Sequence, residues 1–231
     1  MKKLVVAFFV IFGLSQAEAQ VTFKPGIRGG VNFSHFTQGD EYYGNQPYTN
    51  PNTGQTFYYN DNPEFSSKTD FYVGLYGALH LTKYYTLQPE IDYSRQGSKV
   101  KWQTVENDVL VQNSTQVDVS YISLTIINKF TFNDKFNIHI GPAIDIITDK
   151  TRNTFNQNVT YDPGYYYYSD DLYDTDSDID LSFVLGLGYN FTKNLGIEAR
   201  IKKGIVPVLD FDDDHTNVVF SAGLNYTFDL K

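Results

Sequence analysis

The densest run of potential metal ligands is Asp174-x-Asp176-x-Asp178-x-Asp180, a ladder of alternating carboxylates. Calcium takes such hard oxygen donors. The turn glycine and the distal glutamate of a calcium loop are missing, so the run reads first as a solvated acidic loop. Asp174, Asp176 and Asp178 are the candidates for weak divalent binding, and no cofactor is expected. Four histidines could serve catalysis. His80 and His139 sit among polar strand residues, where packing or hydrogen bonding explains them. His35 and His215 lie near Ser34 and near Asp212, Asp213 and Asp214. A hydrolytic triad also needs a nucleophile motif, and none surrounds Ser34. Gly186-x-Gly188 has no phosphate-loop context. The expectation is a protein without catalytic residues.

Charges of both signs form the next candidate group: Arg28, Lys129, Arg200 and Lys202 against Glu90, Asp92 and Glu198. Each falls on the polar parity of an alternating segment. Buried charges persist only when paired and hydrogen-bonded. If that parity faces inward, these seven residues are expected to form an internal ion-pair network, with Glu90, Glu198 and Arg200 near mid-depth.

What positions them is a period-two pattern, which recurs eight times while helical periodicity is nearly absent. The segments are 26–36, 70–81, 85–102, 115–132, 135–148, 179–191, 195–206 and 217–228. In the second, Phe71, Val73, Leu75 and Leu79 alternate with Tyr72, Gly74, Tyr76 and Ala78. In the last, Val218, Phe220, Leu224 and Tyr226 alternate with Val219, Ser221, Gly223 and Asn225. Each run is long enough to cross a bilayer as a tilted strand, which needs about 9–11 residues.

Connections alternate in length. Thr82-Lys83-Tyr84, Asn133-Asp134 and Thr192-Lys193-Asn194 are tight turns, whereas 37–69, 103–114, 149–178 and 207–216 read as long polar loops. Short turns at one end and long loops at the other is the plan of a bacterial outer-membrane barrel. Aromatics gather at the tight-turn ends, as an interfacial girdle would require: Tyr84, Tyr85, Phe130, Phe132, Phe136, Tyr189, Phe191, Tyr226 and Phe228.

Composition bounds the rest. The chain has 231 residues, 18 basic and 27 acidic, no cysteine, 19 tyrosines and 18 phenylalanines. Mean hydropathy is −0.36. The cysteine count excludes disulfides, thiolate metal sites and a lipidated cysteine. The acidic balance argues against nucleic acid as a partner. Lys2 and Lys3, the apolar run Leu4 to Leu14 and Ala17-x-Ala19 have the three parts of a secretory signal peptide, 1–19, with cleavage expected after Ala19. The remaining domain, 20–231, then carries 16 basic and 26 acidic residues, a charge of −10.

Alternation alone leaves open which face is outside. A lipocalin-like barrel would turn its apolar face inward. A polar face rich in Gly, Ser and Asn suits the narrow, filled lumen of a membrane barrel instead. Eight strands leave an interior about filled by side chains, so general solute diffusion is not expected. A narrow channel or a small-molecule-binding barrel is the alternative.

Several segments resemble the PorT-like outer-membrane β-barrel family of Bacteroidota. Leu87-Gln88-Pro89-Glu90-Ile91-Asp92-Tyr93-Ser94-Arg95-Gln96-Gly97 is close to its L-Q-P-E-L-x-Y-S-x-Q-G strand. Gly26-Ile27-Arg28-Gly29-Gly30-Val31-Asn32-Phe33-Ser34 is similar to its opening strand. Tyr121-Ile122-Ser123-Leu124-Thr125 is similar to a third, with Ser123 and Thr125 where the family has Glu and Pro. The resemblance implies an all-β, eight-stranded antiparallel up-and-down transmembrane barrel with short periplasmic turns and long extracellular loops. It implies no activity.

Eleven of the 19 tyrosines lie in the long loops, among them Tyr48, Tyr58 and the run Tyr165, Tyr166, Tyr167 and Tyr168. Tyrosine supplies rigid contact area at low entropic cost. The expected partners are therefore outer-membrane lipid around the wall and a protein or glycan at the loops, with the barrel itself monomeric.

Overall fold

The computed structural model describes residues 21–38, 45–60, 62–106, 108–158, 166–169, 178–206 and 215–229, with backbone alone for 106, 109, 151–158 and 166–169. Residues 1–19, expected to be a signal segment, lie outside them. Eleven strands are present among the described residues: β1 (Thr22–Phe36), β2 (Asn45–Thr49), β3 (Thr56–Asn60), β4 (Glu64–His80), β5 (Tyr85–Glu106), β6 (Val109–Phe132), β7 (Phe136–Asn158), β8 (Tyr166–Ser169), β9 (Ile179–Asn190), β10 (Leu195–Gly204) and β11 (Asn217–Thr227).

Eight of these close a ring in the order β1, β4, β5, β6, β7, β9, β10, β11, and β11 pairs back on β1 with Gly26 opposite Thr227. Every neighbouring pair is antiparallel. β2 and β3 form a separate hairpin, and β8 adds to the far end of β7.

The alternation maps onto the wall with the apolar parity outward. Val73, Leu75 and Leu224 are 54%, 58% and 53% exposed, while Arg28, Glu90, Glu198 and Arg200 are at most 6% exposed. Soluble domains rarely leave so continuous an apolar surface uncovered, and its inversion relative to the charged interior fits a lipid solvent. At the tight-turn end the aromatics pair along the rim: Tyr85 with Phe130, Phe132 with Phe136, Tyr189 with Phe191 and Tyr226 with Phe228, ring centres 5.2–6.4 Å apart.

The turn at Asn133-Asp134 explains its own sequence. Both residues have positive φ, 50° and 58°, and Lys135 N–H donates to Phe132 C=O at 3.1 Å. This is the primed two-residue turn whose twist matches the flanking strands, and Asn and Asp tolerate it better than most side chains.

At the opposite end the structure corrects the expected loops. Residues 103–114 are not a loop. β5 and β6 run on to Glu106 and Val109, which are still paired with each other. Likewise β4 already begins at Glu64, and β7 continues to Asn158. β5, β6 and β7 have 22, 24 and 23 residues against 10 in β10, so roughly 12 residues of each, or about 40 Å of strand, project beyond the lipid band. Two bulges mark the rim. Residues 68–71 of β4 face the three residues 95–97 of β5, and Thr148 is the extra residue of β7 between Asp149 and Ile147. Bulges bend and twist a strand, and they cluster where barrels end.

Candidate functional site

The interior is built in layers. At mid-depth Arg28 from β1 donates to Glu90 (2.8 Å), Asp92 (2.6 Å) and Glu198 (Nε, 2.8 Å). Arg200 from β10 donates to both oxygens of Glu90, at 2.6 and 2.9 Å, and to Glu198 at 3.0 Å. Two guanidiniums thus hold three carboxylates, the five groups coming from the three strands β1, β5 and β10. Their planar forks suit that task, since each can serve more than one carboxylate at once. Arg28 also lies 4.7 Å from the Tyr72 ring centre, and Gln88 donates to Glu90 at 2.7 Å.

Room for these side chains comes from lumenal glycines. A Cβ on Gly74 would lie 1.8 Å from an Asp92 oxygen, and one on Gly186 would lie 2.7 Å from Cγ of Arg200. Small residues opposite large charged ones let an eight-stranded interior hold an ionic layer at all.

Lys202 is set apart from that layer. It pairs with Asp145 of β7 at 2.8 Å, and Asp145 also accepts from Ser182 at 2.8 Å and from Ser123. Asp145 is the member that sequence reasoning missed. Its position on the polar parity was visible, but its partner depends on strand order and register, which set β10 beside β7 with only β9 between them. Lys129 is the opposite correction. It was expected in the network, yet among the described residues no carboxylate comes within ion-pair distance of it, because it sits nearer the tight turns, at the mouth.

Toward the long-strand end follows an amide layer. Asn32 donates to Ser94 at 2.9 Å, Gln96 to Ser94 at 2.8 Å, and Asn217 to Gln96 at 2.5 Å. Above it Phe36, Val117, Val119 and Tyr121 form a small apolar core with Phe65 and Ile147 packed against it. Between these layers the remaining cavity at the ionic level is about 40 Å³. That is space for a few waters and no more. Its lining includes Asp92 and Arg200, each of which has one buried polar atom without a protein partner, Oδ1 and Nε.

The other candidates separate. Ser34 and His35 are consecutive strand residues and therefore point to opposite faces. The Ser34 hydroxyl is bonded to the Gly97 backbone, and His215 Nδ1 lies 2.7 Å from Thr37 C=O. His139 is buried beside Asn137, and His80 Nδ1 lies 2.9 Å from the Thr86 hydroxyl. Asp212, Asp213 and Asp214 lie outside the described residues, as do Asp174, Asp176 and Tyr165. Asp178 is exposed and lies 3.9 Å from Lys150, and Asp180 accepts from the Val206 backbone at 3.2 Å. Tyr166, Tyr167 and Tyr168 belong to β8, paired with Gln157, Asn156 and Phe155.

The β2–β3 hairpin rests on the tip of β5–β6. Tyr48 hydroxyl donates to Asp108, Asn52 donates to the same carboxylate at 3.1 Å, and Asn60 N–H donates to Gln103 at 3.0 Å. The hydrogen bond to Asp108 raises the pKa of the Tyr48 phenol above its ordinary value. Tyr58, on the same hairpin, is 68% exposed.

A closed antiparallel ring with an apolar belt, an aromatic rim and an ionic interior defines a transmembrane β-barrel of the bacterial outer membrane. The chain belongs to the outer membrane protein beta-barrel domain family, whose profile matches residues 15–210. No curated protein sequence matches it. Among solved structures it is similar to Ail of Yersinia pestis (14% identity, 89% of this chain and 98% of that one, TM-score 0.43). It is also similar to Neisserial surface protein A (11%, 88% and 97%, TM-score 0.46) and to OprG of Pseudomonas aeruginosa (11%, 91% and 98%, TM-score 0.40).

Proposed function

We propose that this barrel is a non-enzymatic, non-conducting platform that carries a recognition surface above the outer leaflet, with its tight turns in the periplasm. Within its family we place it in the PorT-like branch, on the strand motif at Leu87–Gly97, and we read residues 1–19 as a cleaved signal peptide. The observation that carries the platform reading is the contrast between the two halves. The lumen is filled by an ionic layer, an amide layer and an apolar cap, whereas β5 and β6 continue far past the lipid belt and hold a hairpin at their tip. Strand extension of this length has no use in anchoring, since about 9–11 residues suffice to cross. It does hold tyrosine-bearing segments away from the membrane, and exposed tyrosine favours contact with a protein or glycan.

The test is capture from native outer membranes displaying either the full chain or a 38–66 deletion. Heat-modifiable gel migration shows that each barrel is folded. Loss of a captured partner on deletion supports the reading, and identical capture by both forms refutes it.

A further inference from the structure

We propose that the mouth at the tight-turn end is a binding site for a phosphate group. A cavity of about 330 Å³ opens there beneath the ionic layer. Lys129 enters it from β6, Lys83 and Lys193 from two of the turns, and Lys24 from β1. Asp134 is the single carboxylate of the lining among the described residues. Lys24 is engaged by Asp229 at 2.5 Å, which leaves three ammonium groups around the opening against one acid. This segregation occurs in a chain whose overall charge is −9, so it is not a by-product of composition.

Lys129 is the informative residue. It is partly buried inside the mouth, and among the described residues no carboxylate lies within ion-pair distance of it. The amides that could cover the carboxylates behind it are already committed inward. Gln88 donates to Glu90 at 2.7 Å and Asn225 to Glu198 at 3.5 Å, so both side chains turn their nitrogens toward the ionic layer. An ammonium held in a partly enclosed space without a counter-ion is the complement of an anion.

The class of anion follows from size and donor type. A cavity of this volume sits at the lower end of ligand pockets, roughly 300–1,000 Å³, and exceeds what one carboxylate needs. Its polar, lysine-rich lining excludes an apolar ligand. Phosphate has several acceptor oxygens and more than one charge near neutral pH, and lysine binds it as a point charge from several directions. A free phosphate and a phospholipid headgroup share this chemistry.

The experiment titrates inorganic phosphate into the full barrel, folded in a phosphate-free neutral detergent, at fixed ionic strength by calorimetry. Saturable one-to-one binding is expected. Lys129→Met is expected to weaken it about tenfold or more, Lys129→Arg to retain it, and Lys99→Met, at the far end of β5, to leave it unchanged. Gel migration shows that each variant is folded. If Lys129→Met does not fold, the Lys83→Met/Lys193→Met double variant takes its place with the same expected loss. Absence of saturable binding, or equal loss in Lys99→Met, overturns the proposal. A parallel titration with glycerophosphoglycerol separates the sources: tighter binding of this headgroup analogue assigns the site to lipid, and tighter binding of inorganic phosphate assigns it to the free ion.

Discussion

Replacing Arg200 with alanine removes three charge-assisted hydrogen bonds, two to Glu90 and one to Glu198. The ionic layer then holds Glu90, Asp92 and Glu198 with Arg28 alone. Breaking a buried pair by removing one partner costs about 3–5 kcal/mol, because the remaining charge stays desolvated. Here Arg28 still reaches Glu90 at 2.8 Å and Glu198 at 2.5 Å, so neither carboxylate is left bare. The lower end of the range, about 3 kcal/mol, is therefore expected. The assay is urea unfolding of the barrel in lipid vesicles, followed by tryptophan fluorescence and gel migration. At a slope of about 1–3 kcal/mol per molar urea, the midpoint falls by at least about 1 M. The double variant Arg200→Ala/Glu90→Gln restores charge balance and is expected to recover part of the loss, since residues in one network do not act additively. An unchanged midpoint for Arg200→Ala, or a double variant as weak as the sum of the single ones, refutes the coupled network.

Three further outcomes follow from the same geometry. In planar bilayers the purified protein shows no stable conductance, because the ionic and amide layers fill the lumen; reproducible single-channel steps would contradict this. Gly97 has φ 142° and an added Cβ would lie 1.9 Å from Val117 C=O, so Gly97→Ala is expected to lower stability by about 1–3 kcal/mol in the same urea assay, and an unaltered midpoint would count against it. The raised pKa of Tyr48 means that its protonated form is favoured in the folded hairpin. Its hydrogen bond to Asp108 is then fully present below the phenol's ordinary pKa of 10.0 and lost as pH rises through the higher folded value. Limited proteolysis of the β2–β3 hairpin should accelerate only in that alkaline range, whereas Tyr48→Phe should be cleaved readily at neutral pH as well. Equal resistance of both forms at neutral pH would remove the role assigned to this contact.

The wall was legible because lipid imposes a demand on every second residue. Val73 and Leu75, or Leu185 and Leu187, must be apolar where they meet hydrocarbon, and the intervening positions are free to be Gly74 or Gly186. That demand ends at the rim. Above it Gln112, Ser114 and Gln116 face water on one side while Asn113 and Thr115 face a polar interior on the other, so both parities become polar and the strand reads as a loop. The length of β5–β6 was hidden for this physical reason. The ionic layer was legible as a set of charges on one parity, but its pairing was not. Lys202 reaches Asp145 whereas, among the described residues, Lys129 reaches no acid, a distinction set by height along the barrel and by which strands lie close in the ring, neither of which alternation encodes.

The pairing of β1 with β11 has a consequence for how the chain comes to be in the membrane. Gly26 meets Thr227, so the seam of the ring joins strands separated by almost the whole domain. Until β11 arrives, the seven preceding wall strands have two open edges whose N–H and C=O groups hydrocarbon cannot satisfy. No partial wall is a tolerable occupant of the bilayer, and local contacts cannot nucleate the seam, whose formation bears the full loop-closure entropy. Insertion and closure are therefore one concerted event that waits for the last strand to leave the export machinery. A chain halted short of Asn217 is expected to stay in the periplasm as prey for proteases.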